Sequence, residues 1–166
     1  MVLSRDPTRT LAPFVATPAY APSMLPQRLQ RIVDLFATAP KELRIQALLD
    51  YARRVPPLPE SVDAGDLEQV HECQTPFFLA TEVDEDGVVH LFFDAPPESP
   101  TVRGFAGILR EGLEGASWRQ VLDVPPDFYT GMGLDAVVSP LRLRGMSAIL
   151  GRLQRQVREQ APGAEG

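Results

Sequence analysis

The chain carries one cysteine, Cys73, and two histidines, His71 and His90. Cys73 and His71 share the segment Val70-His71-Glu72-Cys73-Gln74-Thr75-Pro76, which lies between a polar stretch, about Glu60–Glu68, and the apolar run Phe77-Phe78-Leu79. A structural thiol usually sits inside an apolar run, where it packs as a small hydrophobe. Cys73 is bracketed by Glu72 and Gln74 instead, so it is a candidate nucleophile on a loop, with an inert thiol as the alternative. The reactive form is the thiolate, and a free thiol of pKa ~8.5 is only a few per cent ionised at neutral pH. It therefore needs a helper. On an extended backbone His71 would share a face with Cys73, the arrangement of a Cys–His hydrolase; a solvated loop histidine is the other reading. His90 falls on a strand beside Val88 and Phe92, where a satisfied histidine is the default. One thiol and two imidazoles fall short of the four ligands a structural zinc site takes, and one thiol excludes an internal disulfide or a Cys-ligated cluster.

Other chemistries lack their motifs. Gly131-Met132-Gly133 and Gly104-Phe105-Ala106-Gly107 have neither the strand–turn–helix context nor the lysine of a phosphate loop, and read as turn and packing glycines. There is no Gly-x-Ser-x-Gly elbow. Asp84-Glu85-Asp86 lacks the calcium-loop pattern and reads as a solvated turn. A net charge of −6 disfavours nucleic acid and anionic membranes as partners. Of the 16 cations, all but Lys41 are arginine, which fits the Ala-, Pro- and Gly-rich composition. No run approaches the length of a membrane span, and Met1–Leu11 carries Arg5, Asp6 and Arg9 without the apolar centre of a signal peptide. The expectation is a cytoplasmic protein.

The elements that must position Cys73 follow from periodicity and punctuation. Pro7, Pro13, Pro18 and Pro22 predict an extended or poorly ordered arm over residues 1–23. A domain over residues 24–160 is expected to follow, with 161–166 as a flexible tail. Leu25, Leu29, Ile32, Val33 and Phe36 predict a first helix that Pro40 ends. Lys41 to about Arg53 is a second, with Ile45, Leu48, Leu49 and Ala52 on one face. Phe77–Val83 and Val88–Asp94 predict a hairpin around Asp86-Gly87, whose positive φ angles suit such turns. Val89, Leu91 and Phe93 share one face. A third helix spans about Ser99–Leu113 on the stripe Val102, Phe105, Ala106, Leu109 and Leu113. Ser117 caps a short helix with Trp118 and Val121, and Pro125–Met132 is another. Ser139-Pro140 opens the last helix, with Met146, Ile149, Leu150, Leu153 and Val157 inward. Helices flanking a small antiparallel meander make an α+β layer, helices on one face of the sheet.

Four stretches then make the chain, from about Leu25 to Gln160, resemble the SufE family of sulfur-acceptor proteins. They are Glu72-Cys73-Gln74-Thr75 with Pro76-Phe77-Phe78-Leu79, the strand end Leu91-Phe92-Phe93-Asp94, Thr101-Val102-Arg103-Gly104, and Ser139-Pro140-Leu141-Arg142-Leu143-Arg144-Gly145-Met146. The first departs from the family's Gly-Cys-Gln-Ser at Glu72 and Thr75, and Phe78 stands where the family usually has Trp. Glu72 would raise the Cys73 pKa if the two charges came close.

The resemblance implies an α+β fold, a small antiparallel three-stranded sheet packed against helices on one side. It also implies a role: Cys73 accepts a persulfide sulfur from a pyridoxal-phosphate cysteine desulfurase of the SufS kind. The sulfur then passes toward iron–sulfur cluster assembly, with a SufBCD-like scaffold complex as acceptor. The pyridoxal phosphate belongs to the partner, and no cofactor is expected on this chain. Phe77, Phe78 and Leu79 are expected to help line an apolar pocket for the sulfur. Arg142, with the start of the last helix, is expected to supply positive potential near Cys73. The competing reading is an adaptor that stimulates a desulfurase or a rhodanese-like sulfurtransferase without carrying sulfur.

Overall fold

The computed structural model of the chain describes residues 25–163. The arm expected over residues 1–23 and the last three residues of the expected tail lie outside the described residues. Helix α1 (Gln27–Thr38) buries Leu29, Ile32, Val33 and Phe36, the face the sequence marks. Pro40 stops it and, in extended backbone, becomes the N-cap of α2 (Lys41–Arg53). Here the buried residues are Leu48, Tyr51 and Ala52, while Ile45 and Leu49 are only half-buried. The helix is rolled toward Tyr51, whose ring packs 5.9 Å from that of Phe36.

That roll has a cause in α3 (Pro100–Leu113), the central helix, which buries nine of its residues, glycines included. A Cβ on Gly107 would stand 2.1 Å from the Tyr51 carbonyl oxygen, and one on Gly104 2.7 Å from that of Leu48. The two glycines let the backbones of α2 and α3 touch. Gly112 does the same for α1, where a Cβ would meet Leu29 Cδ1 at 2.7 Å. Arg103 fastens the junction, donating to the carbonyls of Ala52, Val55 and Ala95 at 3.4, 3.3 and 2.6 Å.

The sheet is antiparallel in the order β1 (Glu68–Gln69), β2 (Phe78–Val83), β3 (Val89–Asp94). Leu79, Val89, Leu91 and Phe93 point into the core, as the alternation requires. β1 supplies the third strand. Its two residues carry no apolar alternation, which is why the sequence reads as loop there. The β2–β3 turn differs from a two-residue Asp-Gly turn. Only Gly87 in it has positive φ, at 79°, and Gly87 N–H donates to the Asp84 carbonyl at 2.9 Å. This is a type I turn followed by a left-handed glycine. Asp84 Oδ1 steadies it by accepting from the N–H groups of Asp86 and Val88.

Helix α4 (Trp118–Leu122) starts at a capping box between Ser117 and Gln120. The expected helix at Pro125–Met132 is shorter, a 3-10 turn at Phe128–Met132, because Pro125 and Pro126 hold the chain out of it. Gly133, at φ 70°, joins it to a second such turn, Leu134–Ala136. Helix α5 (Pro140–Gln160) has Ser139 as N-cap and Pro140 in its first turn, and buries Leu143, Met146, Ile149, Leu150, Leu153 and Val157. Helices α1 and α2 pack on α3, and α5 lies against β2. No helix of the described residues is long and apolar enough to cross a membrane.

Candidate functional site

Cys73 sits at the tip of the β1–β2 hairpin. Beyond the paired strands, Val70 N–H donates to the Phe77 carbonyl at 2.8 Å, closing a tip of residues 71–76. Within it Cys73 N–H donates to the Val70 carbonyl at 3.2 Å, so Cys73 ends a tight turn. Glu72 takes ordinary backbone angles, since no described non-glycine residue has positive φ. A glycine is not required there.

The tip folds over a cavity of about 220 Å³ whose wall includes Cys73, Thr75, Pro100, Val102, Leu141, Arg142 and Gly145. Three of the four stretches that carry the resemblance therefore converge on one hollow, brought there by the start of α3, the start of α5 and the hairpin tip. A Cβ on Gly145 would stand 3.6 Å from Cys73 Sγ. The fourth stretch, Leu91–Asp94, lies in β3, which pairs with β2.

The apolar wall is not the one expected. Phe77 and Leu79 are 0% exposed and face the core, with the Phe77 ring 5.7 Å from that of Phe93. The Val70–Phe77 hydrogen bond extends the ladder by one residue, and strand alternation then turns Phe77 and Leu79 inward together. Phe78 takes the opposite face. Pro100, Val102 and Leu141 line the cavity in their place. Leu141 is 47% exposed and sits at the cavity rim.

Burial pushes the Cys73 thiol up to about 11, and the neighbouring Glu72 carboxylate adds to the shift, while Arg152 opposes it. In this position the sulfur is a protonated thiol at neutral pH. The approach of Glu72 is the one its sequence position suggests. The cation nearest in effect is Arg152, not a residue the sequence singles out. Arg152 Nη2 donates to Glu72 Oε1 at 2.9 Å and Arg152 Nη1 to Glu68 Oε2 at 2.7 Å. Glu68 also accepts from Gln156 at 2.9 Å and from Arg155. Gln156's hydrogen bond, with those of the two arginines, holds the Glu68 carboxyl down to about 2 against the desolvation that opposes them. No short-range pattern links Glu72 to a side chain 80 residues on. Only the folded hairpin reveals it.

Arg142 lines the cavity, but the charges that act on the closed thiol are those of Glu72 and Arg152, not the positive potential expected of Arg142. Its guanidinium lies 3.5 Å from Thr101 Oγ1, and its backbone N–H donates to the hydroxyl of the N-cap Ser139 at 3.4 Å. Neither histidine is brought to the thiol. His71 is exposed and off the cavity wall. His90 is held between Asp84 and Glu114, each at 2.9 Å, which raises its pKa. The Cys–His pair of a hydrolase is not assembled among the described residues. Thr75 Oγ1 is buried with no hydrogen-bond partner among the described residues, leaving a hydroxyl uncommitted two residues from the sulfur.

A family model described as the Fe–S metabolism associated domain, SufE, matches residues 30–157, which include the hairpin, the cavity and nearly all of α5. The chain belongs to the SufE family. It is 45% identical over 139 residues to an uncharacterised SufE-like protein of Mycobacterium tuberculosis, covering 84% of this chain and 97% of that one. The solution structure of a hypothetical protein from Thermus thermophilus superposes with a TM-score of 0.75 at 55% identity, over 82% of this chain and 97% of that one. A more distant relative, 24% identical over 133 residues, is a protein of Plasmodium vivax named cysteine desulfuration protein SufE. That match spans 78% of this chain and 52% of the relative. The SufE family places the chain with Fe–S metabolism, and the α+β fold expected of it is the fold observed.

Proposed function

We propose that Cys73 is a sulfur acceptor that takes a persulfide sulfur from a cysteine desulfurase and carries it toward iron–sulfur cluster assembly. The observation that carries this reading is the hairpin-tip thiol folded over a cavity that two of the other three family stretches help to build. The name of the Plasmodium relative supports a desulfurase as donor. A SufBCD-like complex as acceptor is the extension of the same reading.

The chemistry is an exchange at sulfur. The Cys73 thiolate attacks the outer sulfur of the donor's persulfide; a Cys73 Sγ–S bond forms, the donor's S–S bond breaks, and the donor cysteine leaves as a thiolate. The proton lost from Cys73 is balanced by the one that returns to the donor thiolate, and nothing is oxidised or reduced overall. The half-buried thiol in the closed tip is too poorly ionised for this attack, so the tip opens toward the donor. Afterwards the cavity shelters the loaded sulfur from reductants and oxidants. Arg142 at the cavity mouth supports the anionic sulfur as it enters and leaves.

Incubation with a cysteine desulfurase and free cysteine, followed by intact mass measurement, tests the proposal. The expected result is a gain of one sulfur, reversed by a reducing thiol and absent from Cys73→Ser. If Cys73→Ser stimulates the desulfurase as well as the unaltered protein does, the chain is a non-carrying adaptor.

A further inference from the structure

The hairpin that bears Cys73 is tied to α5 along β2, where Gln160 bonds Thr81 and Val83, and at two further heights on its other side. At its base, Glu68 on β1 accepts from Arg152, Arg155 and Gln156. At its tip, Glu72 is held by Arg152 alone among the described side chains, at 2.9 and 3.2 Å. The base contact is redundant and the tip contact is single. Arg152 is 24% exposed and fixed by Glu68, whereas Glu72 is 55% exposed and next in sequence to the sulfur residue. Without the tip contact, Glu72 would have no side-chain tie to α5, while Glu68 would keep Arg155 and Gln156.

We propose that Arg152 is a positioning residue for sulfur transfer: by gripping Glu72 it latches the hairpin tip shut, and releasing that grip is the step that delivers Cys73 to a partner. The proposal rests on the carrier reading for its purpose but not for its test. It also gives Glu72 a use. In place of a small residue beside the cysteine, this chain has a carboxylate that an arginine on α5 can hold.

The latch and simple electrostatics predict opposite signs for one substitution. Arg152 is the cation that opposes the raising of the Cys73 pKa. If charge were its only influence, Arg152→Ala would leave the thiol less ionised and slow its alkylation. A latch predicts faster alkylation, because the tip opens more often. An exposed ion pair of this kind corresponds to an opening population about two- to fivefold larger when it is cut. Glu68 keeps two donors in the variant, so the fold below the tip is retained.

The experiment measures iodoacetamide alkylation of Cys73 at fixed pH in the isolated protein, with amide hydrogen exchange followed alongside. Arg152→Ala and Arg152→Gln should each raise the rate about two- to fivefold. Exchange at residues 71–76 should quicken while exchange in α3 stays unchanged. Arg152→Lys, which keeps a cation in reach of Glu72, should return the rate toward that of the unaltered protein. A rate in the two charge-removing variants that is equal to or below that of the unaltered protein overturns the latch. A rise matched by faster exchange in α3 overturns it as well, since the fold as a whole would then merely be loosened. No desulfurase is present, so the latch can stand or fall independently of whether Cys73 carries sulfur.

Discussion

Cys73 Sγ lies 3.6 Å from the point where a Cβ on Gly145 would stand, so the floor beneath the sulfur is bare helix backbone. A methyl group there makes ordinary contact with the thiol and leaves the fold intact. Alanine also suits a helix interior better than glycine does, by about 0.5–1 kcal/mol. The second sulfur of a loaded Cys73 would compete with that methyl for space. Gly145→Ala should therefore raise the thermal midpoint while shortening the lifetime of the persulfide against dithiothreitol. An unaltered lifetime would mean that the loaded sulfur does not return to this side of the cavity.

The raised thiol pKa makes a prediction with a definite sign. With the folded value at about 11, Cys73 in the free protein should alkylate more slowly at pH 8 than an unstructured thiol, by about ten- to a hundredfold. Its rate should keep climbing above pH 9 instead of levelling. Stability follows by linkage. Below the unfolded value both states are protonated and nothing changes. Above it the unfolded chain ionises first, so the folded state loses on the order of 1–2 kcal/mol as pH rises toward the folded value. Cys73→Ser should flatten that loss, which urea denaturation between pH 7.5 and pH 10.5 (roughly the window set by the two values) would register.

Elements bounded by strong punctuation were legible from the chain alone. Pro40 before Lys41, and Ser139-Pro140 before Leu141, mark helix starts because proline and a capping hydroxyl act within a single turn. The position of Cys73 outside the core strands was legible because its neighbours are polar. β1 was not, since two residues show no alternation and are strand only by pairing with Phe78 and Leu79. The roll of α2 was not, because it depends on glycines of α3, far along the chain. Arg152 was hidden for the same reason. Arg142 stood out through a local motif, whereas the grip of Arg152 on Glu72 is a tertiary contact with no local sign.

The glycine contacts can be tested against each other. Gly107→Ala would drive a methyl to 2.1 Å from the Tyr51 carbonyl oxygen, which is backbone and cannot turn aside. Helices α2 and α3 would have to separate, at a cost of about 2–3 kcal/mol or more. Gly151, on α5, has nothing within 4 Å of the same position. Gly151→Ala should stabilise by about 0.5–1 kcal/mol. Urea midpoints that move in opposite directions are the expected outcome.

Thr75 offers a separation of stability from transfer. Its hydroxyl is buried without a partner in the closed tip, so Thr75→Val removes an unsatisfied polar atom and keeps the branched shape. The folded state should gain about 1 kcal/mol. If the hydroxyl serves the loaded or opening sulfur, persulfide uptake from a desulfurase should slow in the same variant. A loss of stability in thermal unfolding would show instead that the hydroxyl is already satisfied in solution.

Arg142 lines the cavity beside Cys73 and Arg152 acts on it from behind Glu72, so their removal should not look alike. Arg142 lines the cavity mouth, where its contact to Thr101 Oγ1 is long at 3.5 Å, and the charges that act on the closed thiol are those of Glu72 and Arg152. Cutting Arg142 should leave alkylation of the free protein, and its dependence on pH, where they are. In the transfer proposed above the sulfur would be anionic and no longer sheltered, and there an arginine at the mouth would have something to stabilise. Arg142→Ala should slow sulfur uptake from a loaded desulfurase about two- to fivefold, the scale of an exposed charge pair. Arg142→Lys should recover part of it, because charge survives while the planar fork is lost. Uptake by Arg142→Ala at the rate of the unaltered protein would remove this arginine from the reaction and leave Arg152 as the cation that governs Cys73.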